Sequence, residues 1–226
     1  MSVFIELKNV GVKLGGQPIL RDINLKLMPG EITAITGPSG SGLSVLLKTA
    51  AGLIPATSGQ VLYDGRNLDS FSDQERRELQ TRTGFVFQDA ALWANMTVQA
   101  NLDLPLQAKF PDMNKEERFK KIEASLQQYG FRVDTQKRPV DFSQGQKKFV
   151  SFLRAVIPGP EALFLDEPTA WLDRPWADKI LDELSALRTR ETAIALASNQ
   201  YESTFDWADH VITLRRGQIV DSGTAE

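Results

Sequence analysis

A glycine-rich loop lies between a short strand and a helix near the start of the chain. The sequence predicts the strand at Glu31–Thr36 and the helix at Ser44–Leu53, with glycines at three of the positions between them. Glycines let the backbone turn tightly and point its N–H groups at an anion, and the following helix adds the positive end of its dipole. A strand, a loop and a helix in this order begin a βαβ unit, so the loop predicts an α/β fold with a phosphate site.

The loop matches the P-loop pattern at every defined position but one. Its residues are Gly37, Pro38, Ser39, Gly40, Ser41, Gly42, Leu43 and Ser44. The pattern requires lysine where Leu43 stands, while the Ser44 hydroxyl is placed to reach Mg²⁺. Taken alone, the motif leaves a second interpretation open, namely a glycine-rich turn that precedes a helix and binds nothing.

Composition and charge narrow the class of protein. The 226 residues include no cysteine, which excludes disulfides and thiolate metal sites. We find no apolar run near the roughly 18 residues that a membrane span needs, and the N-terminus lacks a signal peptide, so a cytosolic location is expected. The net charge of −3 disfavours general nucleic-acid binding. Short basic pairs are interpreted as solvated surface: Lys120-Lys121, Lys147-Lys148 and Arg215-Arg216.

The remaining pattern predicts the architecture. Alternating segments near the N-terminus predict an antiparallel β layer: Phe4–Val12, Ile19–Leu27 and Gln60–Asp64. Residues 89–157 are mostly helical, with a capping box at Asn114 and Glu117. Apolar runs at Ala162–Leu165 and Thr192–Ala197 predict buried parallel strands, and a hairpin follows at Val211–Val220. The prediction is one α/β domain, residues 1–226. A P-loop NTPase core with the β layer comprises residues 1–87 and 158–226, and a helical subdomain comprises about 88–157.

Four further motifs follow the loop in a fixed order. Gln88 follows the strand Gly84–Phe87, and Phe142–Gln146 opens a helix. Leu163–Pro168 ends a strand with two acids, and Ala170–Asp173 comes directly after it. Each has a plain alternative: a solvated glutamine, a helix N-cap or a turn. Because these motifs and the loop occur together in the family's order, the chain resembles the ATP-binding cassette (ABC) family over almost its whole length.

The resemblance implies a composite ATP site. In that family two cassettes pair head to tail, and each ATP lies between the P-loop of one and the signature loop of the other. The implied P-loop contacts are Gly37, Ser39, Gly40, Ser41, Gly42, Leu43, Ser44 and Val45, and those across the interface are Ser143, Gly145, Gln146 and Asp173. Mg²⁺ would be held by Ser44, Gln88 and Asp166. Gln88 also helps to hold the attacking water, Glu167 matches the general base, and Asn199 stands where the family has a histidine.

Three residues differ from those of the family at positions that would contact the same nucleotide. Leu43 removes the lysine, whose charge-assisted hydrogen bond is worth roughly 1.5–3 kcal/mol, or about ten- to a hundred-fold in affinity. Asn199 cannot carry an imidazolium charge. Leu14 stands at the best match for an aromatic that stacks on adenine. Gln144 also replaces a glycine of the signature, and His210, the single histidine, is interpreted as a surface residue. The sequence therefore predicts weak binding of ATP and Mg²⁺ with impaired or absent hydrolysis, although the retained Glu167 leaves partial activity open.

The segment after Gln88 indicates which kind of membrane partner the cassette would bind. Residues 88–106 resemble the cassettes of Mla/Mce-type lipid transporters, and lipoprotein-release and macrolide-export cassettes carry a related Pro-Leu pattern. Trp93 is either a packed aromatic or a contact for the coupling helix of a permease. The expected partners are transmembrane permease subunits and a second cassette, identical or different, at the cytoplasmic face of the inner membrane. The alternatives are a regulatory pseudo-ATPase that pairs with an active cassette, and a soluble cassette acting on ribosomes or DNA. The last is disfavoured because the chain has neither a second cassette nor a long coiled-coil insertion.

Overall fold

The computed structural model describes residues 4–199 and 207–224. An antiparallel sheet is formed by β1 (Ile5–Leu14), β2 (Gln17–Leu27), β4 (Ser58–Tyr63) and β5 (Arg66–Asn67), in the order β2-β1-β4-β5. Apolar and polar residues alternate along β1 and β2, so one face of each strand is buried and the other faces solvent. The predicted β layer is therefore present, with the three predicted strands one or two residues longer than the pattern indicated.

The second sheet carries the candidate site. It contains β3 (Ile32–Thr36), β6 (Thr83–Val86), β7 (Ala162–Asp166), β8 (Ala193–Ser198), β9 (His210–Arg215) and β10 (Gln218–Thr224), in the order β10-β9-β3-β8-β7-β6. All neighbouring pairs are parallel except the β9–β10 hairpin. Because β3, β6, β7 and β8 run in the same direction, the segments that follow them meet at one edge of the sheet.

Six helices complete the described part of the chain: α1 (Leu43–Ala50), α2 (Asp73–Arg82), α3 (Val98–Lys109), α4 (Lys115–Gln128), α5 (Gln144–Val156) and α6 (Arg174–Thr189). The helix predicted to end at Leu53 ends at Ala50. Sequence reasoning missed α2, since its residues are nearly all polar and show no apolar face. Its start signal is a capping box in which Ser72 and Glu75 each accept from the other's backbone N–H. The predicted α/β P-loop architecture with a β layer and helices is confirmed.

Helix α1 packs between the two sheets. Leu46 and Leu47 are fully buried in a cluster shared with strands of both sheets. The Tyr63 hydroxyl of β4 donates a 2.5 Å hydrogen bond to the carbonyl of Ala50 at the end of this helix. Burial raises the pKa of Tyr63 far above its ordinary value, so the hydroxyl stays a donor. This contact and the apolar packing fix α1, and hence the loop that precedes it, against the sheet.

Candidate functional site

The glycine-rich loop follows β3 directly and leads into α1. Gly40 and Gly42 have φ angles of 79° and 108°, in the region that favours glycine. Gly42 is the N-cap residue, and no side chain caps the first turn of α1. The N–H groups of that turn are therefore free of side-chain partners, as an anion site at a helix N-terminus requires.

Gly37 and Ser41 show how tightly the loop is packed. A Cβ on Gly37 would lie 2.2 Å from the carbonyl oxygen of Leu214 and 2.8 Å from Ser41 Oγ, so only glycine fits. The Ser41 hydroxyl is buried and has no hydrogen-bond partner among the described residues. The Ser41 hydroxyl therefore remains available to a polar group that enters the loop.

A cavity of about 340 Å³, termed here the loop cavity, brings the predicted residues together. Its lining consists of Ile19, Pro38, Ser39, Gly40, Ser41, Gly42, Leu43, Ser44, Val45, Gln88, Asp166, Glu167 and Asn199. The loop thus faces the ends of β6, β7 and β8 across a single space. Among the residues that the structure describes, this lining includes neither lysine nor arginine. No cationic side chain in this lining therefore replaces the lysine that the pattern has in place of Leu43.

The β layer reaches the loop cavity through a residue other than Leu14, whose match to the adenine-stacking position stays a prediction. Leu14 ends β1, is 42% exposed and does not line the loop cavity. The apolar wall that the β layer supplies is Ile19 of β2, which sequence reasoning missed. Ile19 is the third residue of β2, and its side chain lies within 3.6 Å of the position that a Cβ on Gly42 would occupy.

The two acids at the end of β7 differ in environment. Asp166 is 3% exposed, while Glu167 has a φ angle of 48° that turns its side chain toward β8. One carboxylate oxygen of Glu167 accepts from the Ser198 hydroxyl at 3.0 Å, and the other accepts from the backbone N–H of Asn199 at 2.6 Å. The candidate base is therefore oriented by the end of β8. The amide of Asn199 lines the same cavity.

The prediction that Lys148 is a surface residue is wrong. It is fully buried, and its ammonium group donates to the carbonyl oxygens of Phe87, Gln88 and Asp166 at 2.9, 3.0 and 3.0 Å. Burial lowers the pKa of Lys148 to about 8, while the charges of Asp166, Glu167 and Asp89 act in the opposite direction. The signal was present in the helical period, because Lys148 shares a face of α5 with Phe152 and Ala155.

The signature residues lie away from the loop of their own chain. Ser143 and Gln146 form a capping box at the start of α5, with hydrogen bonds of 2.9 and 3.2 Å. They line a second cavity of about 230 Å³, termed here the signature cavity, together with Phe131, Gly145, Phe149, Trp171, Leu172, Asp173 and Trp176. Gly145 packs so closely that a Cβ would lie 2.7 Å from the carbonyl oxygen of Trp171. Within one chain, Ser143 acts as a helix cap.

Three other predicted residues have simple positions. Asp173 is the N-cap of α6 and accepts from the backbone N–H of Trp176 at 3.3 Å. Gln144 is exposed in the first turn of α5 and does not crowd the helix. His210 is partly exposed and lies 2.9 Å from a carboxylate oxygen of Glu31. It does not line the loop cavity.

The backbone and the oxygen-bearing side chains of the loop cavity suit a nucleoside triphosphate with Mg²⁺. The uncapped helix start and the glycine loop suit phosphate, whereas the Ser44 hydroxyl, the Gln88 amide oxygen and the Asp166 carboxylate are the hard oxygen donors that Mg²⁺ prefers. When bound, Mg²⁺ neutralises developing phosphate charge. The chain itself supplies a carboxylate at Glu167, which lines the same cavity and is held by hydrogen bonds from Ser198 and Asn199.

Comparison with known proteins gives the family. The profile described as "ABC transporter" matches residues 20–170. This chain belongs to the ABC transporter family. The cassette is 31% identical to the uncharacterized ABC transporter ATP-binding protein YknY of Bacillus subtilis (strain 168), over 98% of this chain and 97% of that one. It is 33% identical to the macrolide export ATP-binding/permease protein MacB of Pasteurella multocida (strain Pm70), of whose length it spans 35%.

Solved cassettes agree in structure. The dimeric structure of MJ0796, a bacterial ABC transporter cassette, superimposes with a TM-score of 0.90 and 29% identity, covering 98% of this cassette and 99% of that chain. A post-hydrolysis dimer of MJ0796 bound to ADP and Pi has a TM-score of 0.90 at 28% identity. The chain therefore contains an ATP-binding cassette of the ABC type. Within residues 4–199 and 207–224, no helix is both long and apolar enough to cross a membrane.

Proposed function

We propose that this cassette couples nucleotide binding to a membrane permease, and that its own site binds ATP weakly and hydrolyses it little or not at all. The observation that carries the proposal is the loop cavity, whose described lining has oxygen ligands and backbone donors but no cationic side chain. Leu43 occupies the first position of α1, where the pattern has lysine, and Asn199 lies at the end of β8 without an ionisable group. Both departures face the space where the terminal phosphates would lie.

The isolated cassette is expected to bind MgATP with a dissociation constant of roughly 10 μM or weaker, since one or two charge-assisted contacts are missing. The backbone cradle and the helix dipole should retain measurable affinity. Isothermal titration calorimetry checks this, and Ser44→Ala serves as the comparison that weakens the Mg²⁺-dependent part. Binding in the low micromolar range or tighter would mean that the backbone alone supplies what the lysine supplies elsewhere.

A third cavity supports a permease as the partner of the cassette. A groove of about 530 Å³, termed here the docking groove, lies beside the segment after Gln88. Its lining consists of Gln80, Thr81, Thr83, Gly84, Phe85, Phe87, Ala91, Trp93, Leu104, Pro105, Ala108, Arg154, Ala155, Pro158 and Pro160. Trp93 is 59% exposed at its rim. A mostly apolar groove with an exposed tryptophan suits a short amphipathic helix of a permease.

Charged substitutions in the docking groove should therefore remove the permease. We expect Trp93→Glu or Leu104→Glu to reduce permease recovery at least about ten-fold when the tagged cassette is purified from membranes, because a buried unpaired carboxylate is costly. Val220→Glu on β10 is the matched control, as Val220 is 56% exposed and lies outside the groove. Equal recovery for all variants would show that the permease docks elsewhere.

We propose a lipid as the cargo and the cytoplasmic face of the inner membrane as the location. The support is the resemblance of residues 88–106 to Mla/Mce-type lipid cassettes. Mass spectrometry of lipids retained by the purified complex tests the cargo, and a complex that carries no lipid above the detergent control contradicts it.

A regulatory or structural role is the second candidate, and one observation favours it. The signature residues Ser143 and Gly145 are retained and line a cavity separate from the loop. They remain able to complete the nucleotide site of a partner cassette, even if the loop of this chain contributes little.

A further inference from the structure

A buried lysine joins the segments that carry the family's motifs. All three hydrogens of the Lys148 ammonium are used, on the carbonyl oxygens of Phe87, Gln88 and Asp166. The side chain is 0% exposed. These carbonyls belong to the two residues that follow β6 and to the last residue of β7.

The same ammonium also reaches the loop between β7 and α6. Its nitrogen lies 5.7 Å from the centroid of the Trp171 ring, within the range of a cation–π contact. Trp171 is itself in a left-handed conformation, with φ of 63°, and its carbonyl packs against Gly145 at the start of α5. One side chain of α5 therefore contacts the segments of Gln88, Asp166 and Trp171, and its own helix begins at the signature.

The segment after Gln88 needs such support. Ala90 and Ala91 have φ angles of 65° and 44°, a conformation that is strained for residues other than glycine and persists only where the surroundings impose it. Arg154, also on α5, donates to both of their carbonyl oxygens, at 3.2 and 2.8 Å. Helix α5 thus holds the Gln88 segment at two points with two cations.

Burial of the charge is costly, which argues against a role in packing alone. An apolar side chain of similar volume would fill the space without the desolvation of an ammonium group. A charged group retained under that cost, with every donor used on a different backbone oxygen, fixes the relative positions of those oxygens.

We propose that Lys148 is a positioning residue that makes the Gln88 segment, the acidic end of β7 and the signature helix move as one unit. The inference rests on the proposed function in so far as these segments serve the nucleotide and the permease. A displacement at the docking groove is then transmitted through Gln88 and Lys148 to Asp166 and Glu167.

Amide hydrogen exchange in the nucleotide-free cassette tests the proposal. In Lys148→Met, which keeps most of the length of the side chain and removes the charge, we expect the amides of Ala90 and Glu167 to exchange at least about ten-fold faster. Amides in the middle of α6 should change less than about two-fold. Lys147→Met, one residue earlier in the same helix and partly exposed, is the matched control and should leave all of these rates unchanged.

A second variant keeps the test decisive if Lys148→Met does not fold. Lys148→Gln retains two donors on a shorter side chain, so it should restore the exchange rates in part. Slower amide exchange in Lys148→Gln than in Lys148→Met supports a positioning role. A role in packing alone would depend on the volume of the side chain and not on its hydrogen-bond donors. Uniform acceleration across the cassette in both variants, with no excess at Ala90 and Glu167, overturns the proposal.

Hydrolysis in the assembled complex separates this proposal from the proposed function. If the complex hydrolyses ATP at a site that uses this chain, Lys148→Gln should lower kcat about ten-fold with KM within about two-fold. If transport by the wild-type complex does not depend on nucleotide, the proposed function fails. The exchange result at Ala90 and Glu167 then still decides on Lys148.

Discussion

The double variant Leu43→Lys with Asn199→His is expected to hydrolyse MgATP at least about a hundred-fold faster than the unaltered cassette. Each substitution restores one charged contact worth roughly 1.5–3 kcal/mol to phosphate. The rest of the machinery already faces the same space, since Gln88, Asp166 and Glu167 all line the loop cavity. A steady-state assay of phosphate release at saturating ATP measures the gain.

Neither single variant should be enough. Leu43→Lys alone is expected to raise ATP affinity about ten- to a hundred-fold with little turnover, because groups that act as one catalytic unit are not additive. Addition of Glu167→Gln to the double variant is the matched control, and it should remove the gained activity while leaving the affinity unchanged. A double variant that binds ATP tightly but stays inactive would place the defect in the backbone of the loop or in Gln144.

The second result that we expect is that this cassette assembles with a different cassette. The loop cavity and the signature cavity of one chain are separate, so a nucleotide that touches both kinds of residue must lie between two chains. Two copies of this chain would form two sites that both lack the lysine. A partner with an intact P-loop lysine would form one complete site, lined on this side by Ser143 and Gly145. We therefore expect native mass spectrometry to find such a partner or, failing that, a complex that hydrolyses little ATP.

Variants of this chain should then have unequal effects on the mixed complex. Ser143→Ala is expected to lower its ATPase rate at least about ten-fold, because it faces the nucleotide held by the partner. Ser44→Ala, in the loop of this chain, should change the rate less than about two-fold. Since Ser143 also caps α5, Ser72→Ala is the control for loss of a capping box, which costs about 1 kcal/mol at a site far from the nucleotide. Equal effects of Ser143→Ala and Ser44→Ala would contradict the mixed site.

The features that sequence reasoning predicted depend on local patterns. Three segments each indicate a strand whose carboxyl end carries polar residues: the strand before the glycine loop, the apolar run ending in Asp166 and the run ending at Ala197. Parallel strands then bring those ends to one edge, so the convergence of Ser44, Asp166 and Glu167 follows from topology.

The features that were missed depend on packing between distant segments. Helix α2 has a polar sequence and is held by its cap and by contacts with β6 and α3. Ile19 lines the loop cavity because β2 passes beside Gly42, a contact between segments that are more than twenty residues apart. The helical period places Lys148 on the buried face of α5, but its three partners are backbone oxygens that no side-chain pattern reveals.

The ATPase rate of the complex purified from membranes, measured on a sample whose subunits have been identified by native mass spectrometry, decides whether the missing lysine matters. We expect either a lysine-bearing second cassette with turnover, or two copies of this chain with little turnover. A complex that contains only two copies of this chain and hydrolyses ATP at on the order of tens per second would contradict the account. It would mean that backbone N–H groups, Mg²⁺ and Glu167 carry phosphoryl transfer without the P-loop cation.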